Sequence, residues 1–199
     1  MALISGCVKE IFTLSPIDNV NDDIVQYIVK PELLKKLAFT VNPEGVIFVN
    51  QIVERKPKRL NKVVYLDKVN DPGNVGTIIR TALAFDYDAI ILSHGTCDPY
   101  NEKVVTASKG AIFQLPILKG ELEEYASGKD IIVSALSDKA VNINEVKVPK
   151  SFILVVGNEA NGVSQKVMDQ ATIITKINIK NIDSLNVGVA TGILMDHLR

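Results

Sequence analysis

Residues 63–85 read VVYLDKVNDPGNVGTIIRTALAF: an apolar run, a polar turn with Pro72 and Gly73, then a helical spacing of Ile78, Ile79, Ala82 and Leu83. An apolar run with so little polar alternation suits a strand of a parallel sheet covered on both faces. The unit recurs along the chain. AIILS (89–93) precedes a helix through EKVVTASKGA (102–111), DIIVSAL (130–136) is another strand, and FILVVG (152–157) precedes SQKVMDQA (164–171). A last short strand, ATIITKINI (171–179), leads to a helix predicted from Ser184 to the C-terminus. The predicted class is α/β, a mostly parallel sheet with helices on both faces.

Working back from this block, ERKPKRLNK (54–62) carries five basic residues around Pro57, which disfavours a continuous helix or strand. It reads as a linker over 54–61, either a solvated charged connection or a strap that contacts phosphates. Residues 1–53 are less regular, with an amphipathic ELLKKLAF (32–39) and a β-like GVIFVN (45–50), and read as a small or incomplete α/β domain. The main domain is then 62–199. With 199 residues, 47% of them hydrophobic, the chain can bury a substantial core. Cys7 and Cys97 form no CxxC pair, which points to a reducing, cytoplasmic setting rather than a disulfide framework or a zinc site. His94 and His197 lie too far apart to suggest a metal site. Charges interrupt the apolar runs well before about 18 residues, so neither a membrane span nor a signal peptide is expected.

Ligands of open parallel sheets collect beyond the carboxyl ends of the strands, which directs attention to three loops. In NDPGNVGTIIR (70–80), Pro72 and Gly73 make a turn, and Asn74 and Gly76 sit where a helix begins. The glycine spacing is not GxGxxG, which weakens a nicotinamide-linked oxidoreductase reading. Arg80 lies beside a packed helix face, either as a surface charge whose stem snorkels or as a functional group. In VVGNEANGVS (155–164), Gly157 and Gly162 bracket Asn158 and Glu159. Glu159 is either a plain loop carboxylate or a bidentate partner that orients Arg80. In KNIDSLNVGVATGILM (180–195), Ser184 reads as an N-cap, with Asn186 a capping residue as well. The small residues Gly188, Ala190 and Gly192 follow. An interior glycine costs roughly 1 kcal/mol relative to alanine, so close packing to a partner helix or a ligand is expected to compensate.

Taken in this order and spacing, NDPGNVGTIIRTA (70–82), LVVGNEANGVS (154–164) and SLNVGVATGI (184–193) resemble the three motifs of the SpoU-type (TrmH-like) RNA 2′-O-ribose methyltransferases of the SPOUT superfamily. PELLKKLAFTVNPEGVIFV (31–49) resembles the end of the ribosomal-protein-like substrate-binding domain that often precedes them, in abbreviated form. Ala160 stands where the family commonly has glycine and Asn178 where proline is common.

The resemblance implies a C-terminal trefoil knot formed by roughly residues 152–199, a homodimer built on the last helix and the helix after Asn74, and an rRNA or tRNA substrate. It implies S-adenosylmethionine as cofactor, with donor contacts at Ala135, Leu136, Gly157, Asn158, Ile177, Leu185 and Asn186. By motif position the catalytic candidates are Asn74, Arg80, Glu159, Ser184 and Asn186. A guanidinium needs roughly 5–8 kcal/mol of environment favouring its neutral form before it can act as a base near neutral pH. Arg80 is therefore expected to grip the target phosphate and the developing alkoxide, with Glu159 holding it. Asn74, Ser184 and Asn186 would position the nucleotide. Two other readings stay open, a non-catalytic RNA-binding SPOUT module and a SPOUT base methyltransferase.

The net charge of −1 argues against broad, indiscriminate binding of polyanions. Its distribution is uneven. Residues 1–65 hold 9 basic and 7 acidic side chains, and residues 66–199 hold 13 and 16. The RNA-binding candidates are accordingly Arg55, Lys56, Lys58, Arg59 and Lys62 beside the first motif, together with Arg80.

Overall fold

A computed structural model describes residues 6–40 and 42–199. The chain divides into two compact units, Met1–Val53 and Glu54–Arg199.

The first unit holds strands β1 (Val8–Thr13) and β2 (Val25–Ile28), helix α1 (Pro31–Leu37) and strand β3 (Val46–Asn50). The strands form a sheet in the order β2-β1-β3, with β1 parallel to β2 and antiparallel to β3. Ile11 and Leu34 are buried, while Val25, Tyr27, Ile28, Phe39 and Val49 remain exposed. Strands β1 and β2 are hard to see in the sequence: Lys9 and Glu10 break the alternation of β1, and β2 has only four residues.

The second unit contains β4 (Lys62–Asp67), α2 (Pro72–Ala84), β5 (Ala89–Leu92), α3 (Glu102–Ser108), β6 (Ile117–Lys119), β7 (Asp130–Ser134), β8 (Val141–Asn142), β9 (Phe152–Gly157), α4 (Gln165–Met168), β10 (Ile173–Lys176) and α5 (Val187–His197). Its seven strands lie in the order β6-β5-β4-β9-β7-β10-β8, and every pairing is parallel. The central strands are buried on both faces, as their unbroken apolar runs require. Alternation sends Val64 and Leu66 of β4 into one cluster with Ile78 and Ile79 of α2 and Leu194 and Met195 of α5. Val63 and Tyr65 enter the other, with Ile153 and Val155 of β9 and Val167 of α4. The α/β class, with elements on both faces of a parallel sheet, is as the strand pattern indicates.

Several boundaries differ from the sequence reading. Helix α3 stops at Ser108 because Lys109 and Gly110 take left-handed conformations, φ 50° and 84°. Helix α2 begins at Pro72, capped by Asp71, whose carboxylate accepts the Asn74 N–H at 2.8 Å. Helix α5 is capped by Asn186, not Ser184. The stretch read as a linker is tied to the second unit: Arg55 Nε donates to the Phe113 carbonyl at 2.6 Å, and Arg59 pairs with Asp86 and Asp88.

Candidate active site

The carboxyl ends of β7, β9 and β10 open onto a cavity of about 820 Å³. Its walls come from the loops 134–137, 156–163 and 176–187, with Met168 and Ala190 closing the sides. Ala135, Leu136, Gly157, Asn158, Ile177, Leu185 and Asn186 all line it, as do Glu159 and Ser184. Leu136 is 69% exposed at its rim. Met168 and Ile179, which lie outside the three motifs, add apolar surface, as do Val163 and Val187 within them.

The loop after β9 is a tight, internally bonded turn. Asn158 and Gly162 exchange backbone hydrogen bonds at 3.0 and 2.9 Å, and the Asn158 side-chain oxygen accepts from Ala160 N and Asn161 N. A Cβ on Gly157 would overlap the backbone of Gly162 and Val163, so only glycine permits this closure.

The three motif loops meet in one directed chain of hydrogen bonds. Asn186 Nδ2 donates to Asn74 Oδ1 at 2.9 Å, and Asn74 Nδ2 donates to Glu159 Oε1 at 2.9 Å. Asn186 Oδ1 in turn accepts from Val189 N at 3.2 Å, which caps α5. The anion at one end fixes which way each amide points. Glu159 also accepts from Asn70 N and Asp71 N, both at 3.3 Å. Partial withdrawal from solvent raises the Glu159 carboxyl. The Asn74 amide and the backbone N–H groups of Glu159, Asn70 and Asp71 outweigh that effect and hold it below the ordinary carboxylate range.

Asn74, Glu159 and Asn186 are thus brought together, with Ser184 on the same cavity. Residues 61–196 match the SpoU rRNA Methylase family. The chain belongs to the SpoU family. It is 34% identical over 204 residues to the 23S rRNA (guanosine(2553)-2′-O)-methyltransferase RlmP of Bacillus subtilis, a match covering 98% of this chain and 82% of that one. It is 30% identical to the uncharacterized tRNA/rRNA methyltransferase slr1673 of Synechocystis, over 87% of this chain and 66% of that one. The crystal structure of an AdoMet-bound rRNA methyltransferase from Sinorhizobium meliloti superposes with a TM-score of 0.84 at 28% identity, covering all of this chain and 82% of that one.

One expectation for this SpoU chain needs correction. Glu159 does not hold Arg80: its acceptors are taken by Asn74 and the start of α2, while Arg80 lies two turns along α2 on its exposed side and makes no ion pair among the described residues. The close packing to a partner helix expected of the small residues of α5 is met against α2, most tightly at Gly188. A Cβ on Gly188 would stand 3.4 Å from Thr77 Cγ2, and one on Gly192 3.7 Å from Thr81 Cγ2, both on α2. The basic stretch, in turn, leads into the amino end of β4, whereas the cavity lies at the carboxyl ends of β7, β9 and β10. Within that stretch Arg55 and Arg59 are engaged by Phe113, Asp86 and Asp88, while Lys56 and Lys58 form no ion pair among the described residues. Lys62 is the first residue of β4.

Among the described residues no group of three or more His, Cys, Asp or Glu is placed to hold a metal ion, and no helix is long and apolar enough to cross a membrane.

Proposed function

We propose that this chain transfers a methyl group from S-adenosylmethionine to a ribose 2′-hydroxyl of ribosomal RNA. The observation that carries the reading is the Asn186–Asn74–Glu159 chain, which joins all three motif loops at the mouth of the cavity. The cavity suits an adenosine-bearing donor: its volume lies within the range of small-molecule sites, and apolar side chains such as Ile177 and Val187 alternate with main chain and the Asn158 and Asn186 amides. RlmP, which covers nearly all of this chain, supports rRNA over tRNA.

When bound, S-adenosylmethionine supplies an electrophilic methyl, so the protein's work is alignment and charge. Gly157 lets the loop after β9 close against itself and form one wall. Ile177 and Val187, packed against the core, withdraw the wall of the site from water. Asn74 and Asn186, held in one orientation by Glu159, offer fixed amides to the entering nucleotide. Glu159 is a poor proton acceptor, because its oxygens already receive three N–H groups. Arg80, left free of Glu159, meets the target phosphate and the charge that develops on the 2′-oxygen.

The functional unit is a homodimer. On α5, Val189 and Ile193 are 53% and 42% exposed, one turn apart, and each follows a glycine that faces α2, Gly188 at Thr77 and Gly192 at Thr81, the latter adjacent in sequence to Arg80. Burying this pair against a second copy brings Arg80 toward the partner's cavity. The C-terminal trefoil knot, and an RNA-contacting role for residues 1–53 and for the basic stretch, belong to the same proposal.

Incubation of the protein with labelled donor and rRNA, followed by nuclease digestion and mass spectrometry, should yield a 2′-O-methylated nucleoside. A base-methylated product favours the base methyltransferase reading. Donor binding without any product on any RNA favours the non-catalytic module.

A further inference from the structure

The last residue of β4, Asp67, is 2% exposed, and the activity described so far gives it no task. Carboxylates are rarely buried so completely unless they are bonded. Asp67 Oδ2 accepts the backbone N–H of Ser164 at 2.6 Å. In the β4–β9 register Asp67 stands opposite Gly157. One carboxylate therefore sits beside the residue where the chain enters the cavity loop and bonds the residue where it leaves. Between them, residues 157–163 line the cavity.

The neighbouring bonds reinforce this arrangement. Lys68 takes a left-handed conformation, φ 57°, with its N–H donating to Ser93 Oγ at 2.9 Å. Its carbonyl accepts from Asn158 Nδ2 at 2.9 Å. The entering end of the loop is thus held by Lys68 and the leaving end by Asp67, from two consecutive residues of one strand end. Asp67 makes the shorter of the two bonds, and it is charge-assisted.

We propose that Asp67 is a positioning residue of the donor site: by fixing the Ser164 N–H it sets how far loop 157–163 stands from the wall formed by residues 176–187. The inference rests on the reading of this cavity as the donor site. Asp67 acts through main chain that touches the donor. Its loss is expected in donor affinity, with turnover at saturating donor and affinity for RNA preserved.

The test is a hydrogen-bond cycle read by calorimetry with S-adenosylmethionine and by steady-state kinetics. Asp67→Ala should raise the donor Kd and KM about tenfold, with kcat and the RNA KM within about twofold, the size expected for one charge-assisted bond. Asp67→Asn, whose amide oxygen still accepts, should recover most of that loss. Ser164→Pro removes the same N–H at a residue whose φ of −64° proline adopts, and keeps the carboxylate. It should reproduce the Asp67→Ala effect, and the double variant should be no worse than either single, since both delete one bond. Additive losses in the double variant, or an RNA KM that rises as much as the donor KM, would overturn the proposal. So would wild-type donor affinity in Asp67→Ala. A wild-type protein that binds no S-adenosylmethionine would instead overturn the donor-site reading beneath it.

Discussion

Two carboxylates at opposite edges of the seven-stranded sheet bind similar sets of groups. At the carboxyl edge, Glu159 accepts the Asn70 and Asp71 backbone N–H groups and the Asn74 amide. At the amino edge, Asp88 accepts the Asn61 and Lys62 backbone N–H groups at 2.7 and 3.0 Å and the Arg59 guanidinium at 2.5 Å. The difference lies in what the third group does. Asn74 passes its orientation on to Asn186 beside a cavity, whereas Arg59 ends the network on exposed Asp86. The same local chemistry makes a site at one edge and fastens the start of a strand at the other.

Substitutions should separate the two edges. The largest effect is expected for Gly157→Ala, which forces the cavity loop open: donor binding by calorimetry should fall below detection, and circular dichroism should still report an α/β fold. Next is Glu159→Gln, which leaves the amides of Asn74 and Asn186 without their anion. It should lower kcat on the order of 10- to 100-fold in single-turnover methylation. The same residue fixes a pH dependence. Because its folded-state value is depressed, its contribution to stability is fully present above the ordinary glutamate value of about 4.3 and is lost as pH falls through the lower folded value. Acid unfolding curves of the wild type and Glu159→Gln should therefore converge only at that acidic end.

At the amino edge the expected changes are smaller and of another kind. Asp88→Ala strands the Asn61 and Lys62 N–H groups and should cost about 1–3 kcal/mol in urea unfolding, with donor Kd unchanged. Replacing Lys56 and Lys58 with glutamine should lower the slope of log binding constant against log salt by about 1 for each phosphate no longer neutralised, again without touching donor affinity. A shift of donor Kd in either experiment would show the two edges to be coupled.

How much of this the sequence discloses depends on the range of the interaction. The strand, loop and helix pattern and the three motif loops are local, and the seven donor-binding candidates that the family resemblance implies all line one cavity. The partner of Glu159 is not local. Asn74 lies 85 residues away, and Arg80, six residues farther along the same motif, is the more obvious charge match. Ser184 and Asn186 are both good capping residues by type, and the tertiary bond from Asn186 to Asn74 decides between them. Asp67 reads as the last residue of an apolar strand, and only the fold brings Ser164 to it, 97 positions on. Asp71, immediately before Pro72, and Asn101, immediately before α3, are caps that local sequence could have supplied.

Methylation of ribose in ribosomal RNA is open to a decisive check: mapping 2′-O-methylation across rRNA from cells with and without the gene. One 2′-O-methylated rRNA position should vanish with the gene and return with the wild-type chain, but not with Asn74→Ala. An unchanged rRNA map would refute that function.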